Sequence, residues 1–355
     1  AGTAIEDRRS GRRSWKRDRE AFRDRLDARV EQLERLRRAE RAVRSRAAPD
    51  VAELVARALH LKVDLWSRAV DAPDALNLRL GLGIDDVRFP VALAPGGATD
   101  LRDDAETAIA HLRTVAEVPI TIDIGAAPVL ALQGERVAVG RLANALVAQL
   151  VTLHSPHDVV FVAAVAPDRG FDWWQWLPHA RTATSPLPGP HLVDDDRIDD
   201  VIAALTRVGE ARLGDRTRAD LPDPWPRVVA VLDAELAPDP VRLARLLDTC
   251  CGISVVWLAG EAAEVPRQAH TVVEVRRDAI GAVVAHSWST DPDVVSCHVV
   301  AEQVGPEVGE RLGRSLAPIR DASTATRSNA IPRTVPLGDV VAVDRDTVVA
   351  AWRTP

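Results

Sequence analysis

The apolar run Val129-Leu-Ala-Leu132 is followed by Gly134 and then by a helical pattern from about Arg136 to Leu153. Strand, glycine turn and helix in that order form the usual phosphate-binding arrangement, because a helix N-terminus presents free N–H groups and partial positive charge. A working P-loop needs G-x4-G-K-[ST], its Lys on the β- and γ-phosphates and its hydroxyl on Mg2+. The run here is Gly134-Glu-Arg-Val-Ala-Val-Gly140-Arg141-Leu142. Five residues separate the glycines in place of four, Arg141 stands where Lys belongs, and Leu142 where Ser or Thr belongs. Glu135 would set a negative charge against the phosphates. The chain has two lysines, Lys16 and Lys62, and neither follows a glycine-rich loop. No working P-loop is therefore present. The strand pattern ending Val231-Leu232-Asp233 resembles the place where a carboxylate orders Mg2+, although Asp233-Ala234-Glu235 departs from the usual D-E order. A strand ending in Asp is commonplace. Gly134, Gly140, Arg141 and Asp233 are the candidates for a degenerate nucleotide site.

Other chemistry-bearing residues carry less. His154-Ser-Pro-His157-Asp158 offers metal-ligand types, but in a helix-to-strand turn with no third partner in view, so a turn is the better reading and no metal is expected. Asp194-Asp195-Asp196 reads as the acidic first turn of a helix. There is no G-x-S-x-G nucleophile elbow, and no catalytic residue is assigned. Cys250, Cys251 and Cys297 are odd in number and lack paired spacing, which argues against a disulfide framework and against zinc. The block Asp172-Trp173-Trp174-Gln175-Trp176-Leu177-Pro178-His179 is the most unusual local feature. Trp173, Trp174 and Trp176 form either a packing plug over a sheet edge or an exposed hot spot for a partner, where Trp is enriched.

These residues need elements to hold them. From Pro119 onward, continuous apolar strands at 159–165, 227–233 and 253–259, with a fourth at 271–276, alternate with helices at 194–210 and 241–249. That pattern indicates a mainly parallel sheet covered on both faces. Segments 283–286 and 294–300 read as antiparallel additions. With the two degenerate elements in place, the expected fold is a RecA-like, three-layer α/β domain that has lost hydrolysis. Upstream, Leu76, Leu78 and Leu80 alternate into Gly81 as a strand, and 100–117 has a helical pattern. Asp50 and Glu53 form a capping-box signature for a helix to about Lys62.

The first fifty residues differ from the rest. They carry 16 Lys and Arg against 10 Asp and Glu, a net of +6, which leaves −13 on the remainder of a chain whose total is −7. No Pro or Gly interrupts 14–48, and Trp15, Phe22, Leu26, Val30, Leu33, Leu36 and Val43 lie on one narrow helical stripe. Such a helix is too polar for a core and reads as a stalk or coiled-coil arm. The basic cluster at its start is either a solvated face or a juxtamembrane flank facing anionic headgroups. No apolar run reaches about 18 residues, and the N-terminus lacks a signal-peptide core. The chain has no Met and no Tyr, nine Trp, and nearly all of its basic residues as Arg. The missing Met points to the middle of a longer protein, and the Arg, Ala and Val richness to coding bias.

Several runs together resemble the EccC/EssC component of type VII (ESX) secretion, a membrane-anchored ATPase of the FtsK/SpoIIIE type. Arg19-Glu-Ala-Phe22-Arg-Asp-Arg-Leu26 resembles its post-membrane helix, with Phe22 where the family often has Tyr. Pro49-Asp50 resembles its H-P-x-P turn without the His. Leu65-Trp66-Ser67-Arg68 through Leu76 to Gly83 resembles its W-E-R…D-F-L-x-L-R-x-G segment. Leu153-His154-Ser155-Pro156-His157-Asp158 resembles L-H-S-P-D-D, and Asp172-Trp173 through Trp176-Leu-Pro-His179 resembles D-W-x-W-L-P-H, the most specific match. The resemblance extends from about Trp15 to Trp352.

It implies a helical stalk over 1–75, a degenerate ATPase-like domain over 76–318, and a linker with a terminal element over 319–355 leading to the next domain. Membrane helices would precede the chain and P-loop domains would follow it. No cofactor is expected here, with ATP and Mg in the downstream domains. The implied partners are other type VII membrane-complex subunits, the protein's own ATPase domains and, indirectly, secreted proteins, in a homo-oligomer at the cytoplasmic side of the plasma membrane. Trp173, Trp174, Trp176, Phe22 and Leu26 are the interaction candidates. The implied function is a non-catalytic coupling module. The alternatives are a nucleotide-binding regulatory domain, an FtsK-type DNA-translocase module, which the net −13 argues against, and a plain coiled-coil adaptor. No nucleic acid is expected as a partner.

Overall fold

The computed structural model describes residues 2–195, 197–216, 225–261, 263–290 and 296–321. Expectations for Asp196, for the start of the strand at 294, and for the linker and Trp352 element lie outside these residues, apart from the linker's first few positions. The chain through Ile319 holds together as one unit.

Parallel strands form its centre. β3 (Val129–Gly134), β4 (Val159–Ala164), β6 (Arg227–Asp233) and β7 (Ile253–Gly260) are buried almost throughout. β8 (Thr271–Arg277) runs parallel to β3, and the two-residue β5 (Leu192–Val193) runs parallel to β4. Continuous apolar runs of this kind can only sit between two covering layers. β9 (Val283–Ser289), β10 (Cys297–Ala301), β1 (Asn77–Asp86) and β2 (Thr114–Asp123) then extend the sheet antiparallel, giving the order β2-β1-β10-β9-β8-β3-β7-β6-β4-β5 among the described residues. The fold is mixed α/β with a large sheet whose central strands are parallel, preceded by a long helix.

Alternation within the strands sends side chains to two cores. Leu130 and Leu132 of β3 join α4 (Arg136–Leu153), α2 (Val51–Leu59), α7 (Pro306–Leu316) and the Trp block on one face. Val129 and Ala131 join α5 (Ile198–Arg216) and α6 (Pro240–Asp248) on the other. By length and composition α4 is apolar enough to cross a membrane, yet most of it is buried here. A helix apolar on all sides belongs in a core. Its Gln149 meets a β-bulge in β1, accepting from the Arg79 N–H at 2.7 Å and donating to the Arg79 carbonyl at 2.9 Å. That side chain satisfies both backbone groups of Arg79 beside the bulge.

Local expectations fare unevenly. Asp50 caps α2 by accepting the Glu53 N–H at 2.8 Å, but the Glu53 carboxylate turns to Arg57 in place of closing the capping box. The helix expected over 100–117 is α3 (Thr99–Ala110), and residues 114–117 already belong to β2. Val115 and Val118 are both buried there, with exposed Ala116 and Glu117 between them, which a strand pairing with β1 accommodates through a register shift. Residues 51–75, expected with the stalk, pack on the sheet domain: the Trp66 indole N–H donates to the Val151 carbonyl of α4 at 2.9 Å.

The N-terminal helix α1 (Gly2–Ala47) would measure roughly 70 Å. Its C-terminal half is pinned to the sheet. Buried Arg44 reaches Asp85 and the Asp86 carbonyl, each at 2.7 Å, and Arg37 donates to the His111 carbonyl at 2.9 Å.

Candidate functional site

In doubly wound sheets ligands sit at the C-terminal ends of the parallel strands. Gly134 and Asp233 both lie at that edge, with β7 between their strands. One residue, Glu135, joins β3 to α4, which leaves no loop of successive N–H groups to cradle a phosphate. The Glu135 N–H instead donates to the Val275 carbonyl at 3.3 Å, and its carboxylate pairs with Arg277 at 2.8 Å. Gly134 has φ +140°, and a Cβ there would stand 1.9 Å from the Val275 oxygen. This glycine serves close strand approach.

The position where phosphates would lie is crossed by side chains. Arg136, the first residue of α4, pairs with Glu235 at 2.9 Å and donates to the Pro167 and Asp168 carbonyls at 3.1 and 3.2 Å. Arg169, 1% exposed, pairs with Asp233 and with Glu235, each at 2.7 Å. Asp233 also accepts the Ala166 and Glu235 N–H groups at 3.1 and 3.0 Å. Burial pushes the Asp233 carboxyl above its ordinary value, against the pull of those amides and of Arg169. The hydrogen bond from Arg136 holds Glu235 below the usual carboxylate range. Gly140 lets the Arg169 carbonyl and the Phe171 ring come close to α4. Arg141 points outward, and its carbonyl accepts the Val304 N–H at 3.0 Å. The four candidates therefore do not line one pocket. Arg136, Arg169 and Glu235 were missed. Only the Asp-x-Glu spacing at 233–235 hinted at them.

A cavity of about 260 Å3 opens beside this network, lined in part by Asp168, Arg169, Asp172, Trp174 and Asp194. Its cation is already engaged by two carboxylates, and three further Asp line its wall. Polyanions meet repulsion there.

No family model matches this chain. Among curated relatives, the ESX secretion system protein EccC of Geobacillus thermodenitrificans is 24% identical over 268 residues, covering 73% of this chain and 18% of that protein. EccC of Thermomonospora curvata is 24% identical over 275 residues, covering 73% and 20%. The ESX-3 protein EccC3 of Mycobacterium tuberculosis is 33% identical over 126 residues, or 32% of this chain and 9% of that one. This chain is a relative of the EccC/EssC proteins. It spans about a fifth of the length of the first of them. Solved structures also match at low similarity, the following two among them. The cytoplasmic domain of the T. curvata type VII secretion ATPase EccC is 16% identical with TM-score 0.44, covering 73% of this chain and 33% of its own. EssC (ATPases 2 and 3) of G. thermodenitrificans is 12% identical with TM-score 0.47, covering 78% and 55%.

In this EccC relative the Trp block is mainly a plug. Trp173 and Trp174 are 2% and 1% exposed, so neither offers a ring to a partner, and their place among the interaction candidates is corrected. Trp174 stacks on Phe171 with ring centres 4.0 Å apart and meets Phe161 edge-on at 5.2 Å. The Trp173 indole donates to Asn144 of α4 at 2.8 Å. Trp176 is half-buried, with the Arg314 guanidinium 4.5 Å from its ring centre. α7 docks on this block through its glycines. A Cβ on Gly309 would stand 2.5 Å from the Trp173 indole nitrogen. Gly309→Ala is expected to cost about 1–3 kcal/mol of stability through overpacking, read as a lower urea midpoint with unchanged slope.

His154 and His179 are core residues. His154 Nδ1 donates to the Arg68 carbonyl at 3.1 Å, and His179 Nε2 donates to the His154 carbonyl at 2.8 Å. Among the described residues no group of three His, Cys, Asp or Glu is arranged to hold a metal. Phe22 and Leu26 lie half-buried on α1.

Proposed function

We propose that this chain is a non-hydrolysing module of a type VII secretion motor component, joining a helical stalk to a pseudo-ATPase domain. It would couple a membrane complex to ATPase domains elsewhere in the protein. The observation that carries this reading is the network of Arg136, Arg169, Asp233 and Glu235, whose arginines are taken up internally where a nucleotide would need them. ATP and Mg would act in the downstream domains. The partners would be other subunits of the membrane complex, the protein's own ATPase domains and, indirectly, secreted proteins. The module would work as part of a homo-oligomer on the cytoplasmic side of the plasma membrane.

Calorimetric titration with Mg-ATP tests it. No saturable binding tighter than about 0.1 mM, or about −5.5 kcal/mol, and no phosphate release are expected. Saturable binding that disappears in Asp233→Ala, with the fold retained, would favour a nucleotide-regulated domain and sink this reading.

A further inference from the structure

The spacing of α1 continues beyond what the fold uses. Alternating steps of four and three residues from Trp15 place Phe22, Leu26, Leu33 and Leu36 on one seam, with polar breaks at Arg19, Arg29 and Glu40. A sustained seam of this kind wants a second helix against it. The chain closes both ends itself. Arg19 lies within 4.0 Å of Asp100 and Asp104 on α3, and Glu40 accepts the Arg88 N–H at 3.1 Å. The middle stays open. From Phe22 to Leu36, roughly 21 Å of helix, α1 borders a groove of about 430 Å3 whose far wall is Pro90 to Leu93 with Ala105 and Ile109 of α3. Leu36 is 45% exposed. The charged residues lining the groove are Arg25 and Arg29, with no carboxylate among them. Among the described residues Arg29 reaches only Gln32, one turn along its own helix, at 2.7 Å.

We propose that this groove receives one amphipathic helix of another protein, seated by aliphatic side chains against Phe22, Leu26, Leu33 and Leu36 and by a carboxylate facing Arg29. A groove with an apolar floor, cations and no anion is complementary to an acidic helix, and helix-in-groove recognition reads anchors at these spacings. A second copy of α1 does not fit. Arg29 is the midpoint of the open stretch, so parallel and antiparallel self-pairing both set Arg29 against Arg29. Like charges in a desolvated seam are strongly disfavoured. The inference deepens the stalk part of the reading above and is independent of the ion network, so peptide and nucleotide titrations fail separately.

The test uses the full chain and two dye-labelled synthetic peptides of about 21 residues, three heptads. Both carry Leu at the seam positions except the central one, which is Glu in the first and Lys in the second. Fluorescence anisotropy is expected to show saturable binding of the Glu peptide, tighter than the Lys peptide by about tenfold or more. Arg29→Glu, at an exposed position, should reverse that preference, and Leu33→Asp should abolish binding of both. Circular dichroism confirms that each variant keeps its helix. The proposal is overturned by absence of saturable binding, by equal binding of the two peptides, by a preference that Arg29→Glu leaves unchanged, or by sedimentation showing a dimer that Leu33→Asp dissociates.

Discussion

Replacing Arg169 with Met is expected to lower the unfolding free energy by about 3–5 kcal/mol, because it leaves the Asp233 carboxylate buried without its cation. Both side chains are almost wholly enclosed, at 1% and 0% exposure. The methionine can fill much of the arginine's path, so packing loss contributes little and the unpaired charge dominates. Arg169→Met combined with Asp233→Asn should recover a large part of the loss. Asparagine is neutral, and its oxygen can still accept from the Ala166 and Glu235 amides that Asp233 now satisfies. Urea denaturation of the two single variants and the double variant closes a cycle whose interaction free energy measures the pair. A loss below about 1 kcal/mol for Arg169→Met, the range of an exposed ion pair, would mean that the pair is poised and not structural. The network could then open to a ligand, and the non-hydrolysing reading would lose its main support.

That network also marks the limit of what sequence reading reaches. β4, β6 and β7 are legible because burial on both faces imposes an uninterrupted apolar run, a purely local signature. The failed P-loop is equally local, since two residue types and one spacing decide it. Arg169 and Asp233 are 64 positions apart, and Arg136 and Glu235 are 99 apart. In a chain with 27% charged residues no periodicity selects those partners from the rest. The Trp block fails differently. Three Trp in four residues cannot all face one core from a regular strand or helix. A 3-10 turn over Asp172–Trp176 tucks Trp173 and Trp174 inward, and small Gly309 and Gly313 on a helix far along the chain make room for them. Whether the rings were buried depended on that distant helix. The α1 stripe was legible as a stripe, but its division into closed ends and an open middle depends on α3 and on Arg88, which the spacing of α1 does not encode.

Acid should destabilise the protein from about pH 6.5 downward, through His154 and His179. Burial holds both imidazoles down from 6.5 to about 4, with the charge of Arg68 adding to the effect at His154. Protonation of His179 would place a proton on Nδ1, which meets no acceptor among the described residues. The unfolded chain takes up these protons near pH 6.5, and the folded chain only near pH 4. Between those values the unfolded state binds more protons, so stability falls as pH falls, and below about pH 4 the loss levels off. The interval corresponds to about 3 kcal/mol for each imidazole. Glu235 and Asp239 are held below their ordinary values of 4.5 and 3.8 and add their own loss as pH falls past those values, at the foot of this window and beneath it, whereas Asp233 and Glu302 are pushed upward and act with the opposite sign. Urea midpoints at pH 7, 5.5 and 4.5 should therefore drop steeply in the wild type. His179→Gln keeps a donor for the His154 carbonyl and removes one titrating site, so it should flatten the slope by about half. A slope unchanged by that substitution, or NMR showing the His179 ring protonating near pH 6.5 in the folded protein, would place the acid sensitivity elsewhere.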